Sequence, residues 1–96
     1  MSIIDKLNKD FESRVRLGIM SVLSVNNWVE FLDMKEHLQV TDGNLASHIN
    51  ALEGKKYIEV KKEFVGKKTK TSYKITKAGK TAFVQHINAL EKLLGK

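Results

Sequence analysis

The run Leu45-Ala46-Ser47-His48-Ile49-Asn50-Ala51-Leu52, closed by Gly54 and followed by Lys56-Tyr57-Ile58-Glu59-Val60-Lys61, is where the hydrophobic pattern changes period. Leu45, Ile49 and Leu52 recur at helical spacing, and a projection at about 100° per residue places them on one face with Ala46 and Glu53 beside them. Gly43, Asn44, Ser47 and Ala51 fall on the opposite face, which is small, polar and without Lys or Arg. Thr41 is the expected N-cap of a helix over 42–53, and Gly54 its expected stop. Beyond it Tyr57-Ile58-Glu59-Val60-Lys61 alternates, as does Thr71-Ser72-Tyr73-Lys74-Ile75. Alternation of this kind reads as two strands, and the stretch 64–70, polar after Phe64-Val65 and containing Gly66, joins them into a hairpin over 57–75 with a lysine-rich tip.

Toward the N-terminus, Phe11, Val15, Ile19, Val22 and Leu23 predict a helix over 11–25, stopped by Asn26-Asn27 through the left-handed conformation that Asn tolerates. Residues 28–32 read as a short connector or small strand. Asp33 is expected to cap a helix over 33–38, with Glu36 at capping-box spacing. Gln39-Val40 then turns the chain, so two short helices joined by about three residues form a helix-turn-helix candidate. Toward the C-terminus, Thr76 caps a helix over 77–94, about 27 Å long at 1.5 Å per residue. Proline is absent, so these boundaries rest on caps, Asn and Gly.

A chain of 96 residues fits one domain, and its 42% hydrophobic content suffices for a core. The absence of cysteine excludes disulfides, thiolate metal sites and cysteine nucleophiles. With no apolar run near the ~20 residues of a membrane span, and charges where a signal peptide needs its apolar stretch, a cytoplasmic protein is expected. The formal charge of +6 is concentrated: residues 54–80 hold ten lysines and two glutamates, a local balance of +8 against −2 elsewhere. Such localisation is the footprint of phosphate binding, although lysine also guards exposed sheet edges.

A helix face that is small and uncharged suits close approach to a surface, and the major groove of B-DNA admits a helix. Asn44, Ser47 and His48 are the candidates for base contact. His48 lies at the edge of that face, placed either to donate to a phosphate or to pack half-buried. Asn pairs with adenine, and the face carries no Arg for guanine, so a preference toward A·T pairs is expected. Lys35, Thr41, Lys55, Lys56, Lys67, Lys68 and Lys70 are the candidates for backbone contact. No His pair has the spacing of a helical zinc site, and no metal or cofactor is expected. Gly79-Lys80-Thr81 echoes a phosphate-binding loop, but the glycine required five residues earlier is Lys74. Without paired carboxylates or a nucleophile–base set, no enzymatic activity is expected.

Taken together, Leu45–Leu52 with Lys56-Tyr57-Ile58, and Tyr73-Lys74-Ile75-Thr76-Lys77-Ala78-Gly79, resemble a winged helix-turn-helix transcriptional regulator of the broad MarR/ArsR/PadR-like group. The resemblance runs from about residue 11 to 94. It implies an α+β, mostly helical fold: a three-helix core, a β-hairpin wing and a C-terminal dimerisation helix in a single domain. It further implies a homodimeric DNA-binding regulator, most often a repressor, whose helix after Thr41 enters the major groove while the wing tip touches backbone or minor groove. Two features depart from the group's pattern. Glycine often precedes the position of Tyr57, where this chain has Lys56, and wing tips often carry Arg, where this chain has only Lys. Lysine binds phosphate as a point charge but lacks the planar fork.

Phe83, Ile87, Leu90 and Leu94 form one terminal apolar stripe, and Ile3, Ile4 and Leu7 another. The first could simply close the chain's own core, but in so small a domain the two are expected to meet across a dimer two-fold axis. The alternative function is a protein-interaction module, since the +8 segment would suit an acidic protein face as well. A small-molecule effector would have to bind at the dimer interface, and no residue set marks such a pocket.

Overall fold

The computed structural model describes residues 2–95, without the side chain of Ile3. Two 3-10 turns, Ile3–Lys6 and Lys9–Phe11, precede helix α1 (Arg14–Val25), strand β1 (Val29–Glu30), helices α2 (Phe31–Leu38) and α3 (Asp42–Gly54), strands β2 (Ile58–Val65) and β3 (Lys68–Ile75), and helix α4 (Lys77–Leu93). The sheet is antiparallel in the order β1-β3-β2. The β2–β3 register runs unbroken from Ile58 opposite Ile75 to Val65 opposite Lys68. The hairpin projects as an arm from the helical body, and the molecule measures 53 × 25 × 21 Å. This is the winged helix-turn-helix architecture expected from the sequence.

Several boundaries differ from the sequence expectations, each for a local reason. Helix α1 starts at Arg14, because the Ser13 hydroxyl accepts from the amides of Val15 and Arg16 and caps it there. Phe11 keeps helical spacing to Val15, yet it sits in the preceding 3-10 turn and points into the core. Asn26 ends α1 in an extended conformation, φ −128°, and its side chain donates to the Val22 carbonyl rather than adopting a left-handed turn. Helix α2 begins at Phe31, so Asp33 lies within its first turn; Glu30 occupies the cap position without a side-chain bond. There Asp33 still favours the positive end of the helix dipole.

The end of α3 is a Schellman motif: the Tyr57 amide donates to the Leu52 carbonyl at 3.1 Å, and the Lys56 amide to that of Glu53 at 2.9 Å. Its left-handed residue is Lys56, φ +63°, whereas Gly54, the expected stop, remains helical. A side chain in this conformation costs about 1–2 kcal/mol, of which glycine's extra freedom in the unfolded chain would return part. Lys56→Gly is therefore expected to stabilise the domain by about 0.5–1 kcal/mol, raising the melting temperature by a few degrees in a thermal scan.

The core joins Ile19, Met20 and Leu23 of α1, Met34 of α2, and Leu45, Ile49 and Leu52 of α3 to Ile58 and Tyr73 of the sheet. Phe11 links this body to α4, with ring centroids 5.3 Å from Tyr57, 5.8 Å from Phe83 and 5.5 Å from His86. Asn8 holds the N-terminal segment down: its amide donates to His86 Nδ1 at 2.9 Å and its side chain to the Tyr57 hydroxyl at 3.2 Å. Burial holds the His86 imidazole below its usual range, with the Glu12 carboxylate opposing. Burial also pushes the Tyr73 phenol up, reinforced by the Glu53 carboxylate. Both shifts favour the neutral form of the group.

The expectation that the terminal stripes meet across a two-fold axis, rather than closing the chain's own core, is corrected in part. The N-terminal turns pack on α4 of the same chain. Phe83, assigned to the dimer interface, is 7% exposed and belongs to the chain's own core. Leu7, Ile87 and Leu90 are half-buried, while Ile4 and Leu94 are exposed at 64% and 72%. The Ile3 side chain lies outside the described part.

Candidate nucleic-acid interface

Helix α3 presents the face that its sequence projection anticipates. Leu45, Ile49 and Leu52 are buried, and Gly43, Asn44, Ser47 and Asn50 are exposed. Thr41 caps the helix, its hydroxyl accepting from the Asn44 amide at 3.2 Å. That bond occupies the Asn44 backbone and leaves the Asn44 carboxamide outward. Lys35, at the last turn of α2, reaches Asp42 at 2.7 Å and ties α2 to the start of α3. Its charge is therefore partly committed within the chain.

His48 is half-buried, and its Nδ1 accepts from Arg16 Nε of α1 at 3.0 Å. An arginine Nε–H can only donate, so Nδ1 is the unprotonated nitrogen and Nε2 carries the proton. The contact occupies Nδ1 and leaves Nε2–H as the ring's remaining donor. Arg16 does not emerge from sequence reasoning, because only the packing of α1 on α3 brings residues 16 and 48 together.

The hairpin carries the lysines, but its two faces are not equivalent. Cross-strand partners share a face, and faces alternate along each strand. Ile58, Val60, Lys62 and Phe64 pair with Ile75, Tyr73, Thr71 and Thr69 on the face that packs over the helices at its base. Glu59, Lys61, Glu63 and Val65 pair with Lys74, Ser72, Lys70 and Lys68 on the other. This second face is largely self-compensated. Lys70 meets Glu30 at 3.3 Å, Lys61 meets Glu63 at 3.6 Å, and the Lys61 and Lys74 ammonium groups lie 4.4 and 5.7 Å from the Trp28 ring centroid. Exposed pairs of this kind contribute little stability, about 0–1 kcal/mol each, but they lower the charge available to a partner. Lys55, Lys56, Lys62, Lys67 and Lys68 have no such ion pair among the described residues.

The wing tip is tighter than expected. The strands extend through Phe64-Val65 and Lys68-Thr69-Lys70, leaving a two-residue turn of Gly66-Lys67 in place of a loop over 64–70. Gly66 takes φ +66° at the first central position, where a two-residue hairpin turn requires glycine. Lys68 and Lys70 are thus strand residues with opposite commitments: Lys68 is unpaired among the described residues and Lys70 is held by Glu30. Lys62, uncommitted and beside the tip, belongs with Lys67 and Lys68; in the sequence it is legible only as one of the ten lysines of the segment.

Elsewhere, an open cleft of about 550 Å³ between the N-terminal turns and α4 is lined by Lys6, Asn8, Gln85, Asn88 and Lys92 among others. Among the described residues no group of His, Asp and Glu is arranged to hold a metal, and no helix is long and apolar enough to cross a membrane.

Residues 15–94 match a family model described as a winged helix DNA-binding domain. The chain is 40% identical over 79 residues to an uncharacterized protein of Methanocaldococcus jannaschii, a match covering 82% of this chain and 86% of that protein. Its fold is similar to that of a transcriptional regulator homologue from Pyrococcus horikoshii OT3, with TM-score 0.88 and 27% identity over 99% of this chain and 96% of the other. It is also similar to S. aureus MepR, solved in complex with DNA, with TM-score 0.75 over 94% of this chain and 73% of that one; at 16% identity this likeness concerns the fold.

Proposed function

The chain belongs to the winged helix DNA-binding domain family, and from that premise we propose that it is a transcriptional regulator that binds specific duplex sites as a homodimer. One observation carries the reading: an exposed, uncharged face of α3 stands on the same chain as a hairpin whose tip lysines, Lys62, Lys67 and Lys68, are unpaired among the described residues. The first element suits base edges and the second suits phosphates, which is the division of labour that specific binding requires. Asn44 and Ser47 contact bases, and His48 donates through Nε2, oriented by Arg16. Thr41, Lys55, Lys56, Lys67 and Lys68 contact the backbone. Lys35 and Lys70 make weaker contributions, because Asp42 and Glu30 already hold them.

Ile4, Val84, Leu93 and Leu94 remain exposed along the terminal turns and α4 at 64%, 46%, 47% and 72%, and pairing across a two-fold axis would bury them. A dimer so formed reads a pseudo-palindrome with half-sites about one helical turn, ~34 Å, apart. Occupying such a site excludes other proteins from it, so the default action is repression.

Selection of bound duplexes from a random pool is the test. Enrichment of a two-fold symmetric site is expected, and absence of any enriched symmetric motif would count against the reading. In the same assay Asn44→Ala should change the preferred base at one position per half-site, a discrimination of about 1–3 kcal/mol, while leaving binding to unrelated duplexes unaltered.

A further inference from the structure

We propose that Phe64 acts as an apolar wedge: when the wing meets duplex DNA, its ring enters the minor groove and unstacks a base step. The inference rests on the duplex-binding reading above and adds a contact residue and a deformation to it. Phe64 is 83% exposed and the adjacent Val65 is 60% exposed, on opposite faces of the last two positions of β2. Phe64 stands opposite Thr69, too short to cover the ring, and it makes no ring–ring contact among the described residues.

Single exposed apolar residues on a surface are ordinary. Two in succession at the end of a projecting arm, with Lys62, Lys67 and Lys68 nearby and without ion pairs among the described residues, are a different case. Lys62 lies two residues back on the same face as Phe64, Lys67 is in the turn, and Lys68 is opposite Val65; Glu63 faces Lys61. The charge around the ring selects a polyanion as occupant. The minor groove is about 6 Å wide between phosphate walls, and apolar side chains inserted there partly unstack base steps and bend the duplex. A wing without arginine has no guanidinium fork to place in a narrow minor groove, and the phenyl ring takes that place. Pyrimidine–purine steps unstack most readily, so the wing should favour TA or CA/TG steps beside each half-site without hydrogen bonding to them.

Energy transfer between the ends of a labelled duplex of about 30 base pairs containing TA steps reports the bend. At about 50 mM salt the wild-type protein should bind and shorten the end-to-end distance. Phe64→Ala should bind about tenfold more weakly and leave the duplex straight, whereas Phe64→Trp should retain both binding and bend. The side chain contributes nothing to the core, so the alanine variant should keep the wild-type melting curve. Equal bending by wild type and Phe64→Ala, or wild-type binding without a bend, overturns the wedge and leaves duplex binding intact. Unchanged duplex affinity in Phe64→Ala likewise overturns it and directs the exposed ring to a protein partner. Failure of the wild type to bind duplex overturns both readings.

Discussion

Gly79→Ala is expected to destabilise the domain by about 3 kcal/mol or more, the largest effect among the chain's glycine-to-alanine changes. A Cβ at position 79 would stand 2.0 Å from the Tyr57 carbonyl oxygen and 2.8 Å from its carbon. These are backbone atoms, so no side-chain rotation relieves the clash. Nor is the carbonyl free to move, because it accepts the Thr76 amide at 3.0 Å. The Thr76 hydroxyl donates to the Lys56 carbonyl at 2.7 Å and accepts the Gly79 amide at 2.9 Å. The Thr-x-x-Gly sequence is thus a junction at which the exit of α3, the root of the wing and the start of α4 are held together. Moving Tyr57 by an ångström would also disturb its contacts with Phe11 and Asn8. Gly43→Ala provides the contrast: a methyl group there, on the exposed face of α3, would meet nothing within 4 Å, and helix propensity favours the change by up to about 1 kcal/mol. Urea midpoints separate the two variants, and a Gly79→Ala midpoint within experimental error of wild type would contradict the junction.

How much of this is legible in the sequence follows from which interactions are local. The two faces of α3 are readable because Leu45, Ile49 and Leu52 repeat at helical spacing and all three enter one core. Thr41 and Thr76 are readable as caps because a cap is a bond to an amide two or three residues away. Periodicity misplaces Phe11 because its spacing to Val15 is helical, while its partners Tyr57, Phe83 and His86 are distant in sequence. The left-handed role of Lys56 escapes local pattern for a related cause, although the resemblance marks its position as one where glycine is common. Gly54 is the better intrinsic stop, but Leu52 and Tyr57 dictate where the chain must reverse, and Lys56 is the residue that falls at the left-handed position. In the candidate interface, the identity of the lysines is visible and their commitments are not. Glu30 and Trp28 are remote in sequence from the lysines they engage, and only the sheet order β1-β3-β2 brings them there.

Those commitments set the second large effect, the salt dependence of duplex binding. Each phosphate neutralised contributes about −0.9 to the slope of log K against log salt. If four of the lysines without an ion pair among the described residues reach phosphates in each chain, a dimer neutralises about eight, and raising salt from about 50 to 200 mM should weaken binding roughly 10⁴-fold. A flat titration would refute the electrostatic footprint altogether. The structure also divides the lysines into two classes with different expected slopes. Removing Lys67 and Lys68 together deletes four contacts per dimer and should reduce the slope by about 3–4 while weakening binding to every sequence alike. Lys70→Ala should scarcely change the slope, because Glu30 already compensates that charge at 3.3 Å and becomes an unpaired anion when the lysine is lost. Any loss of affinity in that variant then arises from repulsion by Glu30, and the double replacement of Lys70 and Glu30 by Ala should restore it. A general cationic surface would show equal slopes for Lys67, Lys68 and Lys70. Unequal slopes, in the order given by the ion pairs, require the tip of the wing and not its flank to meet the phosphates.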